Sequence, residues 1–358
     1  MSNPSTFANR CFVALFAFGL SLLLLVSVAP MLHLTALVQQ WDFLLLWVLS
    51  SLLLTLPMIY LEIGLARRGK TTVVHALSML TRDADAQPTW RIIGWAGAFF
   101  ISFLAGALLS TVPVQILPWV GESVPYTGLF ALLMIAVLAL SLLPRLVLLG
   151  LLLIGVLVAP FLVSSSFDFA QQFNLQWTLT SGQEWGLTVI LALFATGFGM
   201  NVYWQNLLQA DTSSSSATPT AWLIWLAFIV AGAVYVFLPI NGVIANIALA
   251  ALLIQFVRTQ WLDRQFNSIL AWAFSILFML VWLFPVLHQG LFYVLIVVGL
   301  LLSLVYSIFA GWVMKASHLR KALNFSSEMS YNLWRVAVRI IIPLSIVAAL
   351  IFTLLGAM

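Results

Sequence analysis

The chain has 358 residues, 63% of them hydrophobic and only 7% charged, with 14 Lys+Arg against 10 Asp+Glu and a formal net charge of +4. Soluble domains carry about a quarter charged residues, so this composition and a mean hydropathy of +1.13 exclude a water-covered exterior and make lipid the solvent. A membrane β-barrel is excluded as well, because its strands alternate apolar and polar over about ten residues, whereas Leu44–Tyr60, Leu129–Leu143 and Ile340–Leu355 are long apolar runs. The sequence predicts an all-α polytopic membrane protein.

A helix needs about 20 residues to cross the hydrocarbon core, and on that ruler the chain divides into about eleven spans. The first runs from Phe12 to His33 and has neither the length nor the cleavage site of a removed signal peptide. The next four are Phe43–Leu65, Ile92–Leu117, Tyr126–Leu143 and Leu146–Val163. A polar stretch, 164–184, precedes a sixth span at Trp185–Leu208, and a Ser/Thr-rich linker, 211–220, follows it. Ala221–Leu238 and Asn241–Val257 are separated by Pro239 and read either as two spans or as one kinked segment. Phe266–Leu287, Leu291–Val313 and Val336–Leu355 complete the set.

Charge placement tests that count. Cytoplasmic loops are enriched in Lys and Arg. With the N-terminus inside, Arg10, Arg145, Arg258, Arg264 and the basic residues of 67–91 and 315–339 all fall on the cytoplasmic side. Asp42, Glu122, Asp168 and Glu184 fall on the other, which places the C-terminus outside. The basic residues meet anionic lipid headgroups in short loops. They form no aromatic-lined groove for nucleic acid, so that partner is excluded. The single Cys11 rules out an intramolecular disulfide and any multi-cysteine metal site. No nucleophile elbow, phosphate-binding loop or His/carboxylate cluster supports an enzyme. His33, His75, His288 and His318 sit near span ends or in loops and read as interfacial residues.

Two places stand out at depth. Glu62, in LPMIYLEIGLARRG, is the one acidic residue well inside an apolar run. It either pairs with Arg67 near the interface or faces the bundle and accepts hydrogen bonds from an interrupted helix. The sixth span carries Thr196, Gly197, Phe198, Gly199 and Asn201 in mid-run. Paired glycines there fit either a broken helix that presents backbone groups to a solute or close packing between helices. The first span has LSLLLLVSV from Leu20 to Val28 and predicts continuous helix.

These segments resemble the neurotransmitter:sodium symporter family. LPMIYLEIGLARRG (Leu56–Gly69) with Trp90-Arg91 and Gly94-Trp95-Ala96-Gly97 is similar to its second helix and the start of its third. Trp185–Leu208 is similar to its sixth, and Phe309–Asn324 with Asn332–Ile346 to its last two. The resemblance implies an inverted-repeat fold, with residues 12–163 as first repeat, 185–313 as second and 336–355 as an additional helix. It implies sodium-coupled uptake of an amino acid or similar small substrate, by alternating access, across a bacterial cytoplasmic membrane. Under it Thr196, Gly197, Phe198, Gly199 and Asn201 line the substrate site and Glu62 braces the break. The first span departs from the family, lacking the Gly-rich segment, the Asn and the Arg that supply sodium ligands and dock a carboxylate. A sodium ion leaving water needs oxygen ligands, so the sequence predicts weak or absent sodium dependence, or else a non-transporting relative that serves as a membrane partner or sensor.

Overall fold

The computed structural model describes residues 4–30, 40–120, 124–163, 177, 182–195, 216–238 and 240–356. Those residues are helical throughout their ordered elements, and the fold is that of an all-α polytopic membrane protein. Eight helices are long and apolar enough to cross a membrane among the described residues, and Tyr126–Leu140 and Ser268–Leu277 are shorter apolar helices.

The first helix, α1 (Pro4–Val28), is unbroken, as its Leu-rich middle predicts. Next comes α2 (Trp41–Gly69), which contains a π-helical turn at Ser51–Thr55. Its cause is local. Pro57 has no N–H to offer the carbonyl four residues back, and its ring would collide with that carbonyl. The helix widens just before it, and Leu56 N–H bonds Ser51 O instead. The C-terminal helix, α13 (Glu328–Gly356), repeats the device. There a π turn at Ala337–Ile341 precedes Pro343, and Ile342 N–H bonds Ala337 O.

Between them lie α3 (Val73–Asp83), α4 (Ile92–Val120), α5 (Tyr126–Leu140), α6 (Arg145–Val163), α7 (Gly182–Ala195) and α8 (Thr218–Phe237). After these come α9 (Val243–Asp263), α10 (Ser268–Leu277), α11 (His288–Ile308, extended by a π turn to Val313) and α12 (Ala316–Leu323). Two of these helices correct the sequence reading of plain loops. In α3, Val73, Val74, Ala76, Leu77 and Leu80 are buried on one face. In α12, Leu319 and Leu323 do the same. Ala221–Val257 resolves into two helices rather than one kinked segment, since Leu238 is extended (φ −125°, ψ 130°). The last span also begins earlier than expected, at Glu328, where the Ser327 hydroxyl caps Ser330 N–H.

The ninth predicted span is not one helix. α10 covers about 15 Å at 1.5 Å per residue, roughly half the hydrocarbon thickness. It gives way to 3₁₀ turns at Leu280–Leu283 and Pro285–Leu287. Phe284 is extended (φ −101°, ψ 98°) because the residue before a proline is driven out of the helical region.

The loops sort to the two ends of the bundle. At one end Arg67 donates to Ser216 O (3.4 Å) and Ala322 O (3.3 Å), and Ala217 N–H to Leu323 O (3.0 Å). There too Thr72 bonds Asp263, and Lys315 meets Asp85 at 2.6 Å. Thr111, Tyr126, Asn246 and His288 belong to the other end. Segments 67–91, 216–218, 260–265 and 315–323 therefore share one end, as the distribution of basic residues requires. α2, α4, α9 and α11 each run from one group to the other.

Lipid gives helices no hydrophobic reason to associate, so close packing has to hold them. α6 and α9 meet backbone to backbone, with an added Cβ on Gly155 falling 2.6 Å from Ala245 N. Outward-facing side chains stay apolar: Leu146, Phe161, Ile269 and Leu344 are all exposed.

Candidate functional site

The site residues expected on the sixth span, Thr196, Gly197, Phe198, Gly199 and Asn201, lie outside the described residues, which end on that span at Ala195. Glu62 is described. It is buried in α2 at 6% exposure, within a segment whose neighbours are closely engaged. One turn before it, Pro57 O accepts the Trp334 indole N–H at 2.8 Å. Tyr60 packs on Phe325 with ring centroids 4.9 Å apart, and Gly64 faces Leu319 and Leu323. Arg67 is turned to the carbonyls of Ser216 and Ala322. Glu62 thus sits where α2, α12 and α13 converge, toward the basic end.

The other end holds a polar seam that sequence reasoning missed. It begins on α9, where Asn246 is fully buried and donates its Nδ2 to Thr111 Oγ1 on α4 at 3.0 Å. Thr111 gives its own hydrogen to Leu108 O (2.8 Å), so its oxygen can only accept. That fixes the carboxamide's orientation. Among the described residues, Asn246 Oδ1 is left as a buried acceptor without a partner. Leu23 of α1 lies within reach of Gly242, the residue whose carbonyl accepts Asn246 N–H, so α1, α4 and α9 meet here. Ser27, one turn beyond Leu23 on the same face of α1, is buried, and its hydroxyl also has no partner among the described residues. A buried acceptor in hydrocarbon costs about 1–3 kcal/mol, which a donor brought to Asn246 Oδ1 would recover.

The seam continues one residue away. Ser110 O accepts from the Tyr126 hydroxyl at 3.3 Å, and Tyr126 also lies 3.3 Å from both Trp282 O and His288 Nε2. His288 Nε2 is 3.0 Å from Trp282 O. A carbonyl only accepts, so Nε2 carries the hydrogen in that bond. The Trp282 carbonyl is exposed by the 3₁₀ break after α10, and the His288 Nε2–H satisfies it, with the Tyr126 hydroxyl alongside. Trp282 itself is fully buried against Gly106, where an added Cβ would fall 2.5 Å from its Cδ1. The histidine read as merely interfacial is therefore a structural partner of a broken helix. Pro285 signals the break in the sequence. No signal pairs His288 with a tyrosine 162 residues away.

The middle of α1 offers a cation nothing comparable. Leu20 and Leu22–Leu25 are fully buried, with Ser21 and Ser27 the only side-chain oxygens nearby along the helix. On α9, Ala248–Ile254 is a buried apolar run. No group of three or more His, Cys, Asp or Glu that could hold a metal ion occurs among the described residues.

No family model matches the chain, and no curated protein matches it in sequence. Solved structures do match, 67 chains in all. Among them is the crystal structure of MhsT in complex with L-phenylalanine, a transporter of the neurotransmitter:sodium symporter family. It aligns with a TM-score of 0.62 at 15% identity, covering 94% of this chain and 98% of that one. At that identity the likeness is one of fold.

Proposed function

We propose that this chain is a secondary transporter of a small, largely apolar solute such as an amino acid in a bacterial cytoplasmic membrane. It works by alternating access between two inverted repeats, 12–163 and 185–313, with the N-terminus inside. The observation that carries the reading is the transporter fold, alignable over 94% of the chain, combined with an orphaned acceptor buried between α1, α4 and α9. Asn246 and Ser27 then contact the solute from one side, and Thr196, Gly197, Phe198, Gly199 and Asn201 from the other, with Glu62 as brace. A sodium ion needs about six oxygen ligands, and an α1 packed with leucine does not supply them. Sodium dependence is therefore expected to be weak or absent.

The test is uptake by the full chain in liposomes across an amino-acid panel, with sodium or proton gradients imposed. Accumulation unchanged by sodium, and abolished in Asn246→Leu without loss of thermal stability, supports the proposal. Sodium-driven uptake overturns the expectation of weak sodium dependence. One observation favours a second reading, a non-transporting membrane partner: the same leucine packing fills the part of α1 where the family binds ions. Failure of every solute to enter above empty vesicles would select it.

A further inference from the structure

Where α11, α12 and α13 meet at the basic end, cations gather without matching anions. Arg335 and Arg339 stand one turn apart on α13 and, with Tyr331, Trp334, Gly311 and Leu319, line a narrow open cleft of about 10 Å³. Arg320 of α12 reaches over the Tyr331 ring at 5.9 Å. All three guanidinium groups act electrostatically on that phenol. The carboxylate beside them, Glu328, is already paired with Arg320 at 3.3 Å. Arg339 commits its Nε to Gly311 O at 2.5 Å and lies over Trp312. Arg335 has no hydrogen bond or ion pair among the described residues. Like charges held this close to hydrocarbon are unfavourable unless an anion joins them.

The surroundings identify the anion's carrier. Residues 331, 335 and 339 form one stripe of α13, and the adjacent stripe, Leu333, Val336 and Ile340, is apolar and exposed. Trp312 beside it is exposed as well, as interfacial tryptophans are. Guanidinium groups bind phosphate oxygens in bidentate fashion, and basic pockets between helices at the cytoplasmic face take lipid headgroups. We infer that the mouth of this cleft binds the phosphate of an anionic phospholipid between Arg335, Arg339 and Arg320, with an acyl chain along Leu333 and Val336. The proposal is independent of transport.

The test is native mass spectrometry of the detergent-purified full chain titrated with phosphatidylglycerol, phosphatidylcholine or inorganic phosphate. The wild type should retain phosphatidylglycerol over phosphatidylcholine. Loss of one interfacial cation is worth about 1 kcal/mol, so Arg335→Gln should weaken retention about fivefold. Lys70→Gln, at the same end but outside the cluster, should leave it unchanged. Should Arg335→Gln lower the melting temperature in phosphatidylcholine, Arg335→Lys replaces it: it keeps the charge, loses the fork and should fall between the two. Equal retention by wild type and the Arg335 variants overturns the site. Displacement of the lipid by millimolar inorganic phosphate overturns the lipid as its occupant.

Discussion

The two ends of the bundle are built differently. At the basic end, contact runs through side chains and loops. Arg67 bonds two loop carbonyls, Arg68 pairs with Asp83 at 2.9 Å, Arg264 reaches Val74 O at 2.5 Å, and the short helices α3 and α12 cover the helix ends. At the other end, backbone and buried polar groups dominate. Helices touch through Gly155 and Gly106, and Asn246, Thr111, Tyr126 and His288 form hydrogen bonds inside the bundle. Solvent-screened contacts are individually weak and easily remade. Buried ones are costly to break. The first end is thus held largely by small, replaceable contacts, with buried Gln260, which accepts Val74 N–H at 3.2 Å, as an exception, and the second is a tightly specified junction.

That contrast can be broken from its strong side first. Gly155→Val forces a branched side chain into the backbone of α9, where even a Cβ falls 2.6 Å from Ala245 N and 3.0 Å from its Cα. Overpacking of this kind costs about 3 kcal/mol. The expected outcome is a large fall in melting temperature in detergent, or no folded protein. Gly64→Ala at the basic end meets only Leu323 and Leu319 side chains at 3.3–3.4 Å and should cost far less. Equal losses at the two glycines would erase the distinction.

An intermediate effect is expected at His288→Leu. The Trp282 carbonyl loses its 3.0 Å donor and Tyr126 a neighbour, so destabilisation of about 1–2 kcal/mol should follow. A chemical-denaturation series that includes Tyr126→Phe and the double variant should give less than additive losses, because the two side chains meet at 3.3 Å and either single variant already removes that contact.

The smallest effect belongs to the exposed Lys315–Asp85 pair. The Lys315 ammonium, by hydrogen bond and charge, holds the Asp85 carboxyl below its usual range. A depressed carboxylate stabilises the folded state above its unfolded value near 3.8 and loses that contribution as pH falls through the lower folded value. Asp85→Asn should leave the melting temperature at neutral pH nearly unchanged and remove a slight slope below pH 4. A marked loss at pH 7 would mean the basic end is not the weakly latched one.

Apolar run length and the one-sidedness of Lys and Arg made the spans legible in the sequence, since both follow from lipid excluding polar groups. The π turns were legible in principle: in α2 and α13 alike they end two residues before a proline, Pro57 and Pro343. α3 was hidden by its surroundings, its Val73–Leu77–Leu80 face being flanked by five basic residues of the loop. The polar seam was not legible. Asn246 acquires its meaning from Thr111, and His288 from Tyr126, through packing that no local pattern encodes.

The facing π turns of α11 and α13 have a consequence for biosynthesis. Gly311 O takes the Arg339 guanidinium, Arg339 O the Trp312 indole at 3.3 Å, and Val338 O the Ser307 hydroxyl at 2.7 Å. Translation delivers α11 first, so its Gly311 carbonyl waits for a partner that the ribosome has yet to make. At a helix end near the headgroups that carbonyl borrows water in the meantime, so the arrival of α13 displaces the water and locks the last turn of α11 in place.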